Sequence, residues 1–228
     1  MTIHQAHEIQ VSIAQLEFPF SYEKALQFAL FRTYGIPSIS SLLAATQQLS
    51  TPNTACKRYT DTGVLLAEFI ANEWGSERWA DGVTRMNCIH AHYNGKIKNE
   101  DMLYTLNLFA GEAVRWIERW EWRSLSDVEK CAMGVFWRRL GDTMGIKYKG
   151  LPGYERGNGW KDGLEWLEEV MAWGQRYEEK YMVPSKVNWT VAEQTTKILL
   201  WPVPSWGKAL GKKAVCVMMD DRLRAAMM

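Results

Sequence analysis

The stretch best equipped for chemistry runs Arg85, Met86, Asn87, Cys88, Ile89, His90, Ala91, His92, Tyr93, Asn94, Gly95, because it carries two of the chain's four histidines. From Ser76 to Tyr93 the residues Trp79, Val83, Met86, Ile89, His90 and Tyr93 recur at three- and four-residue steps, which predicts a helix with His90 on its buried stripe. His92 falls roughly 160° away at about 100° per residue, with Asp81, Arg85 and Cys88 toward the polar side. An imidazole in an apolar stripe needs a partner for each ring nitrogen, and a metal or haem iron is one such partner. A core histidine bonded to a neighbouring carbonyl satisfies the same placement, and spacing alone favours that plainer arrangement.

Other catalytic patterns are missing. The sequence has no phosphate-cradling Gly-x-x-x-x-Gly-Lys-Ser/Thr and no dinucleotide fingerprint after a strand. It has no Gly-x-Ser-x-Gly elbow, which disfavours an ordinary serine hydrolase. His90 and His92 cannot share a zinc ion, since positions two apart on a helix diverge. Neither has a glutamate three residues before it, so a carboxylate-bridged di-iron bundle is also disfavoured. One histidine acting as a single axial ligand is the metal chemistry left.

The scaffold that must position this histidine is bounded by composition. A chain of 228 residues, 47% of them apolar, can bury one sizeable core. A net charge of +1 gives no bias toward nucleic acid. Twelve tryptophans are spread over nearly every expected helix; most serve packing, and together they suit a greasy or aromatic pocket. Cys56, Cys88, Cys131 and Cys216 are widely separated, which points to a reducing compartment and away from structural zinc. No Cys-x-x-Cys-His occurs, so covalently attached haem is excluded. The N-terminus, with His4, His7 and Glu8, lacks a signal-peptide layout, and no run approaches the roughly eighteen apolar residues of a membrane span. The expectation is a soluble chain that is not secreted.

Helix follows helix, with no convincing alternating strand. Glu23 to Tyr34 is amphipathic and Gly35 can end it, while Pro37 suits the first turn of the next helix. Gln47 to Thr54 reads as a loop, and a third helix is expected from about Ala55 to Trp74, with Arg58, Thr62, Leu65, Leu66 and Phe69 on one broad face. Gly75 stops it, and Ser76 can cap the histidine helix. Further helices are expected at Asn99 to Trp120, from the capping box Ser126-Asp127-Val128-Glu129 toward Met144, and at Trp160 to Tyr181. In the last of these, Glu165, Glu168, Glu169, Glu178 and Glu179 read as a solvated face. Gly145 to Gly159 is a hinge or surface loop, and Pro184 and Pro202-Val203-Pro204 punctuate two final helices. The fold class is all-α: a single-domain bundle of about eight or nine helices.

Several segments together carry a family resemblance. Phe28 to Ser40 (FALFRTYGIPSIS), Arg58 to Thr62 (RYTDT) and Met86 to Gly95 (MNCIHAHYNG) resemble the fungal MpaB-like branch of the rubber oxygenase (latex-clearing protein) family. Tyr104 to Phe109, Glu121 to Arg123, Gly141 to Met144 and Leu223 to Met227 extend it in the expected order. The resemblance covers most of the chain from about residue 20. It implies an N-terminal arm over 1–20 and a catalytic domain over 21–228, with helices enclosing a pocket for non-covalent haem b.

The resemblance further implies an enzyme of specialised metabolism that uses dioxygen to cleave a carbon–carbon double bond of an isoprenoid or similar apolar chain. Its His-x-x-x-x-Gly pattern falls on His90 and Gly95, favouring His90 as axial ligand with His92 as runner-up. Met86 and Arg58 join His90 as haem-binding residues. Arg58 and Thr62 match the family's Arg-x-x-x-Thr element beside the haem, and one helical turn between them lets both face one cavity. A guanidinium fits a propionate in two hydrogen bonds, and the Thr62 hydroxyl can bond oxygen or a water. The plainer role for Arg58 is an ion pair with Asp61.

Two departures stand out. Asp61 occupies a position that is basic in rubber oxygenases, and Leu42 to Thr54 lacks the family's upstream glutamate base, so Asp61 is the candidate for that role. Longer fungal relatives carry a membrane segment and extra chain, whence the expectation of a soluble or shortened form, cytoplasmic or peripheral to the endoplasmic reticulum membrane. The partners implied are dioxygen and a prenylated small molecule, with no nucleic acid. A non-catalytic helical relative that binds an apolar ligand is the alternative.

Overall fold

The computed structural model describes residues 1–49, 51–93 and 95–227. Among them the chain is all-helical: twelve α-helices and no strand. They are α1 (Ile3–Ser12), α2 (Pro19–Thr33), α3 (Pro37–Ala45), α4 (Pro52–Ala71), α5 (Glu77–His92), α6 (Asn99–Trp120), α7 (Asp127–Thr143), α8 (Pro152–Glu155), α9 (Gly163–Tyr181), α10 (Lys186–Leu199), α11 (Lys208–Met218) and α12 (Asp221–Met227). The count exceeds eight or nine because residues 1–20 form α1 and one π turn (Ile13–Glu17), Pro152 starts a short helix in the glycine loop, and the C-terminal segment makes three helices. The loop expected over Gln47 to Thr54 is shorter than that. α4 begins at Pro52, whose fixed φ suits a first turn, and ends at Ala71.

The chain divides into two compact units, residues 1–30 with 64–176 and residues 31–63 with 177–228. In the first, α7 is the hub, with α1 and α6 packed on it. Ala6 of α1 meets Ala132 and Val135 of α7, flanked by Ile3, Ile9 and Cys131. Ser126 caps α7 by accepting from the Glu129 N–H, and the Glu129 carboxylate accepts from the Ser126 N–H at 2.7 Å, the capping box read from sequence. Arg123 donates to both Glu129 oxygens at 2.8 and 2.9 Å. That guanidinium, above all, lowers the Glu129 carboxyl from 4.5 to about 2, against the opposing effect of burial. At Gly134 the start of α9 touches α7 backbone to backbone, and a Cβ there would lie 1.9 Å from the Gly163 carbonyl oxygen.

In the second unit α10 packs on α3 and α12. Asn188 of α10 donates to the carbonyls of Gly35, Val183 and Ala226 at 3.0–3.1 Å, tying three segments to one amide. Glu178, expected on a solvated face, is buried: Arg32 donates to both its oxygens at 2.7 Å and meets Asp220 at 2.6 Å. Glutamate is called for there because a buried guanidinium must be matched, a constraint that helical periodicity does not reveal.

Two outcomes check this packing. Gly134→Ala should lower unfolding free energy by about 3 kcal/mol or prevent folding, because backbone atoms cannot yield as a side chain does; urea denaturation measures it. Glu129, depressed in the folded state, contributes stability that is full above pH 4.5 and is lost as pH falls toward about 2. Glu129→Gln should therefore be less stable at neutral pH and show a flatter acid limb in pH-dependent melting.

Candidate functional site

The histidine helix, α5, starts where Ser76 accepts a hydrogen bond from the Trp79 N–H, after Gly75 turns the chain at φ +81°. It seats on the second half of α4 at Gly82, where a Cβ would stand 3.1 Å from Glu68 Cβ. Arg78 clamps Glu68 with two bonds of 2.6 and 2.8 Å. Trp79 packs on Trp74 at 4.2 Å between ring centres, and Trp74 stands edge-on to Phe136 of α7. Near the other end of α5, Asn87 donates to the Thr143 carbonyl at the end of α7.

These contacts fix which side of α5 faces inward. Trp79 and Val83 are buried, Met86, Ile89, His90 and Tyr93 are half-buried, and Asp81, Arg85, Cys88 and His92 are exposed. His90 and Met86 are one turn apart on the inner side. Gly95 has φ +78°, a left-handed turn that favours glycine; Asn94 lies outside the described residues. Among the described residues no three His, Cys, Asp or Glu side chains stand together as a metal cluster. A porphyrin supplies four ligands itself and asks the chain for one imidazole beside apolar surface; His90 with Met86 and Ile89 fits that demand.

The second unit holds the other site residues. Arg58 and Thr62 are half-buried one turn apart on α4, and Arg58 Nη1 donates to the Thr62 hydroxyl. That hydroxyl in turn donates to the Arg58 carbonyl at 3.0 Å. Tyr34 is fully buried nearby; burial pushes its phenol up to about 12, opposed by the Thr195 hydroxyl and the Arg58 charge, while Tyr59 adds to the rise. A guanidinium among buried hydroxyls is suited to a carboxylate. Asp61 does not pair with Arg58. It meets Lys57 at 2.5 Å on the exposed side of α4.

Sequence reasoning passed over Tyr34 and Thr195, which carry no spacing signal. It also passed over His7, buried on α1 with Nε2 3.0 Å from the Ile70 carbonyl and its ring stacked on Phe136. There a signal existed: Ile3, Ala6, His7, Gln10 and Ile13 follow helical spacing.

Comparison with known proteins gives the class. ER-bound oxygenase mpaB' of Penicillium brevicompactum is 50% identical over 230 residues, spanning all of this chain and 54% of that protein. ER-bound oxygenase mpaB of Penicillium roqueforti (strain FM164) is 50% identical over 230 residues, all of this chain and 76% of that protein. ER-bound oxygenase mpaB of Penicillium brevicompactum is 50% identical over 213 residues, 90% of this chain and 54% of its own length. No protein-family model matches the chain. All three relatives are Penicillium proteins named as oxygenases. The chain belongs to the MpaB family of ER-bound oxygenases, and spans about half the length of two of these relatives. No helix among the described residues is long and apolar enough to cross a membrane.

Asp61→Asn separates two roles. A solvated pair with Lys57 contributes no more than about 0.5 kcal/mol, so melting should barely move. Any oxygenase turnover should stay within about threefold of the parent; a loss of tenfold or more identifies Asp61 as a base.

Proposed function

We propose that this chain is a haem b-dependent oxygenase that oxidatively cleaves a double bond of an isoprenoid or similar apolar chain in specialised metabolism. The observation that carries the proposal is the sorting of α5: His90 and Met86 lie on its inner side, His92 and Cys88 on its exposed side, in a chain of an oxygenase family. When bound, haem b supplies dioxygen activation and scission of the double bond to two carbonyl ends. His90 offers the axial imidazole nitrogen, and Met86, one turn before it, is its apolar neighbour along the same side of α5. Arg58 offers a fixed positive charge for a propionate. Thr62 holds the Arg58 side chain by accepting its N–H, and its own hydroxyl must leave the Arg58 carbonyl before it can donate elsewhere. The relatives are named ER-bound, and we place this chain in the cytoplasm or at the surface of that membrane.

One observation favours a second reading, a non-catalytic binder of an apolar ligand. Asp61 is paired with Lys57 and the Thr62 proton is committed to a backbone carbonyl, so neither is poised to move a proton. Haemin decides between them. The oxygenase should take up one equivalent and develop a Soret band, whereas protein that stays colourless at stoichiometric haemin is the binder.

His90→Ala should lose haem, while Cys88→Ala and His92→Ala should retain it, and the ferrous–CO spectrum should resemble that of a globin, not of a thiolate-ligated haem. Loss in His92→Ala with retention in His90→Ala moves the site to the opposite side of α5. Arg58→Ala should weaken haem retention, and Thr62→Ala should keep haem and lower turnover; unchanged occupancy and activity in both would mark them as scaffold.

A further inference from the structure

The C-terminal part of the second unit carries an apolar surface directed away from its own core. Trp201, Trp206, Leu210 and Val217 are 83%, 85%, 72% and 70% exposed. On α11 the inward positions are taken by Val215, buried, and Gly211, where a Cβ would meet Leu200 at 2.6 Å. α11 therefore lies down on Leu200. Leu210 and Val217, seven residues apart on one side, are turned outward with Ala209, Cys216 and Lys213. A helix stabilised only by its own unit and water would present polar residues there.

Charge says what covers this face. Residues 200–219 contain Lys208, Lys212 and Lys213 and no acidic residue. Lys208 and Lys213 are exposed and have no carboxylate partner among the described residues, while Lys212 pairs with Glu193 of α10 at 3.2 Å. Neighbouring acids are committed elsewhere: Glu193 also faces Lys197, Asp220 is held by Arg32, and Asp221 pairs with Arg224. Tryptophan suits the boundary between headgroups and acyl chains, having an apolar body and a polar N–H. Lysine lets its stem lie along apolar surface while its ammonium reaches phosphate. Exposed tryptophans, an outward leucine and valine, and unpaired lysines together match a bilayer surface bearing anionic lipid.

We infer that Trp201, Trp206 and the outer side of α11 form a docking surface for an anionic membrane, with Lys208 and Lys213 binding headgroup phosphates. The inference rests on the membrane-surface placement proposed above and is independent of the oxygen chemistry. It names the surface that makes the contact.

Co-sedimentation with phosphatidylcholine–phosphatidylserine vesicles, against phosphatidylcholine vesicles and at low and raised salt, tests it. The parent protein should bind the anionic vesicles and weaken with salt. Trp201→Ser with Trp206→Ser should cut partitioning at least about tenfold. Lys208→Glu with Lys213→Glu should cut it by about fivefold or more per lysine and remove most of the salt dependence. These side chains are exposed, so circular dichroism and melting should match the parent. Variants that bind as the parent does, equal binding to neutral vesicles, or no binding by the parent overturn the inference. So does a dimer, seen by light scattering, that Trp206→Ser dissociates, because the face then belongs to a second copy. A Soret band measured on the same samples keeps the outcomes apart: failure of vesicle binding leaves it unchanged, and its absence leaves vesicle binding interpretable.

Discussion

Backbone contact at Gly134 and Gly163 is the constraint on which the first unit depends. Two chain segments approach until a single methyl group on either has nowhere to go. That closeness puts α9 against α7 at one fixed height and leaves the other sides of α7 for α1 and α6. Dispersion and burial then act over well-matched surfaces such as Ala6 on Ala132 and Val135. α5 inherits its position from the same hub, through Trp74 against Phe136 and Asn87 on the Thr143 carbonyl. The side from which His90 projects is thus set by packing two helices away.

The second unit is organised by polar groups that have left water. Arg32, Glu178 and Asp220 satisfy one another with short charge-assisted bonds, and Asn188 gathers carbonyls from three segments. Burial raises the Asp220 carboxyl, but the Arg32 charge and the Leu223 N–H outweigh it and hold the carboxyl below its ordinary value. Such networks add less to stability than apolar replacements can, and losing one member is costly because it strands the others. Their physical value is specificity of arrangement.

The two sets of candidate residues differ in kind. On α5 the sorting is geometric, with one histidine half-buried and another exposed two residues later. Around Arg58 it is electrostatic: a guanidinium without an acidic partner among the described residues, bonded to Thr62 and near the buried Tyr34 and Thr195. The third expected participant, Asp61, is exposed and pairs with Lys57 four residues before it, although Arg58, three residues before it, is as near along the helix.

By itself the sequence determined everything that follows from local periodicity and end chemistry. It determined the all-helical class, the limits of α6 at Asn99 and Trp120, the Ser76 cap and the Ser126–Glu129 box, and the choice of His90 over His92 for the inner side of α5. These depend on neighbours within about four residues, and such neighbours are written in order along the chain. Only the tertiary structure decided the burial of Glu178, the stacking of His7 on Phe136 and the company Tyr34 keeps. It also left Trp201, Trp206, Leu210 and Val217 outside. In each case the deciding partner or its absence lies in space rather than in sequence: Arg32 stands 146 residues from Glu178, and no local pattern encodes that distance.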